Sequence, residues 1–208
     1  MKKRLCACLA IVLALVSLTA CGSSLEVSRN TIYVQKKGNI IGASVVDNFS
    51  KDYYDAEELE NYVEERVDAY EAEHGEKSAK VDEFSVEENV AKLYIKYAGY
   101  EDYAALNGVT LFAGTVPQAM AAGYDFEEEF LAVEDGKLGR AADKDEVTSG
   151  SEYKVVILSE KVDVKVDGSI LYASADYTSL AASDTVSVTL PEDASDAAQT
   201  SLTYIIYK

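Results

Sequence analysis

The chain has 208 residues, is 48% hydrophobic and carries a formal net charge of −18. That composition belongs to a globular body with enough chain for one real core or two small ones. Such acidity argues against nucleic-acid binding, because phosphate contacts need clustered Lys and Arg. A single histidine and three cysteines leave little material for metal or nucleophile chemistry.

The first element is a leader. Lys2, Lys3 and Arg4 form a basic patch, and no charge follows from Leu5 to Leu18. These 14 residues fall short of the ~20 needed to span the hydrocarbon core of a bilayer. A basic start, a short apolar run and small residues at its end describe a secretory signal peptide. The run closes on Leu18, Thr19, Ala20 and Cys21, which resembles the lipobox of bacterial lipoproteins. That resemblance covers residues 1–21 only; the rest of the chain resembles no characterised family. It implies cleavage before Cys21 and attachment of diacylglycerol to the Cys21 thiol. Residues 1–20 are then the lipoprotein signal peptide and residues 21–30 a lipidated tether. The protein is expected on the extracytoplasmic face of a bacterial cell membrane. Cys6 and Cys8 leave with the leader, so no disulfide or free thiol is expected in what remains. Loss of the leader's three cations takes the net charge from −18 to −21. The stretch Gly22 to Asn30 reaches at most about 30 Å when extended, which keeps the folded body near the membrane.

Thr31 to Val46 reads as a hairpin, with Lys37-Gly38-Asn39 as its turn. Asp55 to His74 is the clearest helix. Asp55 and Glu58 make a capping-box-like start, and Gly75 a stop. Leu59, Tyr62, Val63, Val67 and Tyr70 share one face at helical spacing. Glu57, Glu58, Glu60, Glu64, Glu65, Asp68 and Glu71 lie mostly on the other, a solvated acidic side. Val81 to Val86 and Val90 to Tyr97 form a second hairpin. In its second strand Ala91, Leu93, Ile95 and Tyr97 take the buried face, and Lys92, Tyr94 and Lys96 the wet one. Short helices are expected over Tyr100 to Leu106, ended by Asn107-Gly108, and over Pro117 to Ala122, capped by Thr115 and ended by Gly123.

Phe130 to Val133 leads into an Asp135-Gly136 turn, and Ala141 to Ser151 reads as a polar loop. From Tyr153 onward the pattern is short strands. They cover Val155 to Leu158, Val162 to Val166, Ile170 to Ala173, Thr185 to Leu190 and Leu202 to Tyr207. Asp167-Gly168 reads as a tight turn between the second and third. The fold class expected is α+β, with one main amphipathic helix, a mostly antiparallel sheet and a strand-rich C-terminal third. Residues 31–208 are expected to form a single domain; a split near 143–150 is the alternative.

The chemistry available is sparse. Serine-hydrolase catalysis needs a base beside the nucleophile, and the lone His74 sits at a helix end, where a C-terminal dipole suits a cation. No metal centre and no cofactor are expected. Asp163 to Gly168 has EF-hand-like lettering but strand alternation, and Lys165 stands where a ligand should be. Asp143, Asp145 and Glu146 cluster in the expected loop as a weak ion site at most.

Tyrosine is more suggestive, with 15 residues against five Phe and no Trp. Tyr94, Tyr97, Tyr100 and Tyr103 recur every three residues, and Tyr53 and Tyr54 add to the count. Tyrosine combines an apolar face with a polar tip, which suits ligand clefts and interfaces. Tyr94, Tyr100 and Tyr103 are the candidate ligand-binding residues, and Tyr97 is expected to be structural. The expected role is a non-catalytic binding or interaction module at the cell surface, taking a neutral or cationic ligand or protein. The alternatives are a transporter-associated solute-binding lipoprotein and a cell-wall hydrolase working through paired carboxylates.

Overall fold

The computed structural model describes residues 27–35, 41–51, 53–191 and 193–208. The leader, Cys21 and the turn at 37–39 lie outside the described residues. Mixed α and β structure is present, and the sheets are mostly antiparallel, as expected from the sequence.

The first sheet takes most of the N-terminal strands. β1 (Thr31–Val34) pairs antiparallel with β2 (Ile41–Asn48), and β2 with β4 (Val90–Tyr97). β3 (Ala79–Glu87) lies on the far side of β4. The β3–β4 turn uses Glu88 and Asn89, both at positive φ, the backbone a tight hairpin with right-handed strand twist requires. The other half of this sheet comes from far along the chain. β9 (Asp163–Val166) pairs parallel with β1, followed outward by β12 (Thr185–Val188) and β11 (Thr178–Ala182). The seven-stranded order is β11-β12-β9-β1-β2-β4-β3.

The second sheet has six strands. They are β5 (Leu111–Thr115), β6 (Phe130–Glu134), β7 (Lys137–Ala142), β8 (Lys154–Leu158), β10 (Ile170–Ser174) and β13 (Thr203–Tyr207), in the order β5-β8-β13-β10-β6-β7. Strands from both sides of residues 143–150 pair in both sheets. The Asp167-Gly168 segment is a correction to the tight-turn expectation. β9 and β10 belong to different sheets, so the chain crosses from one sheet to the other there. Ser169 and Lys208 exchange both backbone hydrogen bonds, at 2.7 and 3.1 Å. A Cβ on Gly168 would lie 2.5 Å from the Lys208 carbonyl, so only glycine fits this close approach.

The sheets share one apolar cluster. Ile32, Val34 and Ile95 of the seven-stranded sheet meet Val156, Leu158 and Ile205 of the six-stranded one. The other face of the six-stranded sheet carries a second cluster, with Phe112, Val155, Ile157, Tyr204 and Ile206 packed beneath Val116, Phe126 and Val147. β13 is central and fully buried, with Ile205 and Tyr207 in the first cluster and Tyr204 and Ile206 in the second. Alternation puts neighbouring residues on opposite faces, so an apolar run such as TYIIY fits a strand covered on both sides.

The helices pack on the strands. α1 (Ala56–His74) packs on β3, with Val67 buried and Val63 and Tyr70 partly so. Asp55 caps it by accepting from the Glu57 and Glu58 amides at 2.9 and 3.0 Å. α2 (Tyr100–Asn107) ends at the left-handed Gly108. α3 (Val116–Ala121) starts with a full capping box between Thr115 and Gln118. The segment 141–151 is not the loop expected from its polarity. β7 runs into it, and α4 (Lys144–Thr148) follows, because Asp143 caps the Glu146 amide and Val147 is buried in the second cluster. β5, β11 and a short α5 (Asp196–Thr200) are elements that the sequence pattern did not announce.

Candidate functional site

The tyrosines singled out by spacing do not form one site. Tyr94 is on the face of β4 opposite Tyr97, as alternation requires, but that face is not wet at this point. Tyr94 is 3% exposed. Its ring end occupies the space beside Gly42 of β2, where a side chain would otherwise stand. Lys96 covers it further, with Nζ 5.7 Å from the ring centroid and 2.7 Å from Asp82. Burial pushes the Tyr94 hydroxyl above its ordinary range.

Tyr103 is also buried, at 5% exposure. Its hydroxyl donates to Glu160 Oε2 at 2.7 Å, and its ring meets Tyr97 edge-on at 5.0 Å. Tyr97 is buried and structural, as expected, and its hydroxyl is pushed up to about 12 chiefly by burial. Tyr100 is half-buried, its ring 5.1 Å from Phe112. Two of the three candidates are therefore packing residues, and the third is mostly committed to packing.

The remaining sequence candidates are accounted for locally. His74 stacks on Tyr70 at the end of α1, with ring centroids 4.1 Å apart. Glu146 is held by two Arg140 hydrogen bonds at 2.6 and 2.9 Å, which keep its carboxyl below the usual range. Asp163 to Val166 is strand β9. Among the described residues no group of three or more His, Cys, Asp or Glu is placed to hold a metal. None of their helices is long and apolar enough to cross a membrane.

A different place has the character of a binding site. β2 and the β3–β4 hairpin run on beyond the shared core, and the first half of α1 lies beside them. Between them is an open groove of about 410 Å³. Ala91 and Leu59 lie at its base, and Phe49, Tyr53, Tyr54 and Tyr62 supply aromatic walls. Asp47, Asp55 and Glu58 stand among them. Tyr53, Tyr62 and Tyr54 are 74%, 56% and 43% exposed, so large aromatic surface faces solvent here.

Local hydrogen bonds set this geometry. The Phe49 amide donates to the Asn89 carbonyl at 2.7 Å, tying the loop after β2 to the hairpin. The Ser50 amide donates to Asn48 Oδ1 at 2.9 Å, and the Tyr54 amide to the Lys51 carbonyl at 3.1 Å. The rings then brace one another. Phe49 and Tyr54 are 5.0 Å apart and tilted, and Tyr53 meets Tyr54 edge-on at 4.9 Å. Proximity to Tyr53 is the main cause that pushes the Tyr54 hydroxyl up, with some burial and Asp47 adding to it.

Tyr53 and Tyr54 carry no mark of a site in the sequence pattern, because a loop has no periodicity to distinguish a face. The available signal was an aromatic pair in a polar loop directly before a helix cap. No protein-family model, no curated protein and no solved structure matches this chain.

Proposed function

We propose that the protein is a lipid-anchored, extracytoplasmic binding module, and that the groove beside the start of α1 is its ligand site. One observation supports the groove above all. Exposed aromatic rings and carboxylates without an ion-pair partner among the described residues converge on one concave surface. Covering such rings removes apolar area from water at ~25 cal/mol per Å². Tyrosine also brings a hydroxyl that can bond to a ligand at the rim. The leader ending in L-T-A-C supports the lipid anchor and the extracytoplasmic address.

On this reading α1 is an amphipathic helix with two tasks. Its second half, through Val67 and Tyr70, packs against the core. Its first half presents Leu59 and Tyr62 to the groove. Carboxylates disfavour anions, so the ligand is neutral or cationic.

The test is a titration of the ¹⁵N-labelled full chain in neutral detergent. Neutral oligosaccharides, short basic peptides and anionic wall fragments are added separately. Saturable shifts centred on residues 47–65, lost in Tyr53→Ala/Tyr62→Ala, are expected from at least one neutral or basic ligand. Both side chains are exposed, so this variant keeps the fold. Saturable binding that leaves residues 47–65 unmoved, or tighter binding of the anionic fragments, would overturn the reading.

A further inference from the structure

We infer that the partner of this groove is a basic polypeptide segment, which seats an apolar or planar side chain among the rings and lays basic side chains along α1. The inference rests on the reading of the groove as a binding site and names what it binds. The groove is continuous with a second depression of about 480 Å³ on α1, and the two share Asp55, Glu58 and Tyr62. Glu57, Asn61 and Glu65 complete the second one. An aromatic hollow thus runs into an acidic strip.

The charge of this strip is uncompensated. Residues 47–65 contain eight carboxylates and one lysine. Among the described residues no Lys or Arg pairs with Asp47, Asp55, Glu57, Glu58 or Glu65. Cations elsewhere are engaged, as in Arg29–Asp163, Lys96–Asp82, Lys144–Glu127 and Lys165–Asp184. The N-terminal dipole of α1 works against a bound cation, but it amounts to only about half a positive charge. Asp55 already answers it by binding two end amides through Oδ1. Glu57, Glu58 and Glu65 leave a clear negative excess.

Shape separates a polypeptide from a small cation. An enclosing site buries most of a small ligand, whereas Tyr53 and Tyr62 remain largely open to solvent. An open strip of exposed tyrosine is suited to a chain laid across it, and its carboxylates select a basic one by charge complementarity. Glu58 and Glu65 are seven positions apart on one helix, a rise of about 10 Å. A peptide in the polyproline II conformation, with three residues per turn and a rise of about 3.1 Å each, places residues i and i+3 on one side about 9 Å apart. The register this defines is a basic residue, two intervening residues and another basic residue. Arginine suits it best, since its planar head both stacks on tyrosine and forks onto carboxylate.

The probe is the peptide acetyl-Arg-Phe-Ser-Arg-amide, titrated into the ¹⁵N-labelled full chain in neutral detergent. The controls are acetyl-Ser-Phe-Ser-Ser-amide, tetramethylammonium chloride and a neutral oligosaccharide. The arginine peptide is expected to bind about tenfold tighter than the serine peptide at low salt, and most of that gap should close near 0.3 M salt. Glu58→Gln/Glu65→Gln, at two exposed positions, should weaken the arginine peptide several-fold and leave the serine peptide unchanged. Equal binding of the two peptides would overturn the basic partner and leave the groove standing. So would tighter binding of tetramethylammonium, or binding of the oligosaccharide alone. If no probe moves residues 47–65, both the groove and its partner fall.

Discussion

The Tyr94 hydroxyl stands 2.1 Å from where a Cβ on Gly42 would be. The two residues lie on neighbouring strands, and the ring takes the volume that glycine leaves on that face of the sheet. Rings that cover a strand glycine in this way restore the packing the glycine lacks. Gly42→Ala is therefore expected to push the ring off the sheet and cost about 1–3 kcal/mol, the usual range for overpacking. Urea unfolding measures it. Tyr94→Ala in the same chain should reduce the penalty of Gly42→Ala, because the clash is then gone. Equal penalties with and without the ring would show that the contact is not what limits residue 42.

Ile205 and Ile206 are adjacent in sequence but belong to different apolar clusters. Each is fully buried. Truncation of either to alanine is expected to cost about 2–5 kcal/mol, by lost transfer energy and the cavity left behind. Because their side chains pack in different clusters, a double-mutant cycle is expected to show a coupling well below either single loss. Deletion of Leu202 to Lys208 removes the central strand and should abolish cooperative unfolding. A melting temperature unchanged by that deletion would make β13 peripheral.

Cys21→Ala is expected to release the protein from the membrane fraction of cells that express it. Two acyl chains anchor stably at about 0.8 kcal/mol per buried CH₂, and the variant lacks the thiol that would carry them. Fractionation with detection of the protein reads the outcome. Full retention of the variant in the membrane fraction would remove the lipid anchor from the proposal.

Glu160 links α2 to the loop after β8 by accepting from Tyr103. Burial raises its carboxyl above the ordinary 4.5, and the Tyr103 hydrogen bond only partly opposes this. The folded state therefore holds its proton to higher pH than the unfolded chain does. Stability from this group is present at low pH and is lost as pH rises from about 4.5 through the raised folded value, then levels off. Glu160→Gln keeps an acceptor for Tyr103 and cannot ionise. Relative to this variant, the wild-type chain should lose stability across that window. Parallel unfolding curves for the two proteins from pH 4 to 8 would show that Glu160 does not titrate against folding.

Local structure was legible wherever a few neighbouring residues determine it. Asp55 and Gly75 bound α1, Thr115 caps α3, and Asp135-Gly136 turns β6 into β7, as their side chains and permitted φ values dictate. Alternation along the apolar run at the end of the chain makes both faces of β13 apolar, with Ile205 and Tyr207 in one cluster and Tyr204 and Ile206 in the other. Polarity misled at 141–151, where one buried residue, Val147, outweighs its charged neighbours and holds a short helix in place.

The sequence by itself determined the acidic character, the long helix α1 and most strands, and it carries the resemblance to a lipobox at Leu18 to Cys21 on which the proposed anchor rests. Beyond the hairpins β1–β2 and β3–β4, tertiary structure decided which strands pair, since β1 takes β9 as its parallel neighbour from more than a hundred residues away. It also decided which tyrosines face water. Alternation assigns Tyr94 to one side of β4, but whether that side is covered depends on a glycine in β2. Tyr53 and Tyr54 are exposed because a loop pinned to Asn89 holds them beyond the edge of the core. Dihedral preferences and side-chain period act over a few residues, whereas burial is a sum over atoms brought close from anywhere in the chain. That is why the elements could be read directly and the groove could not.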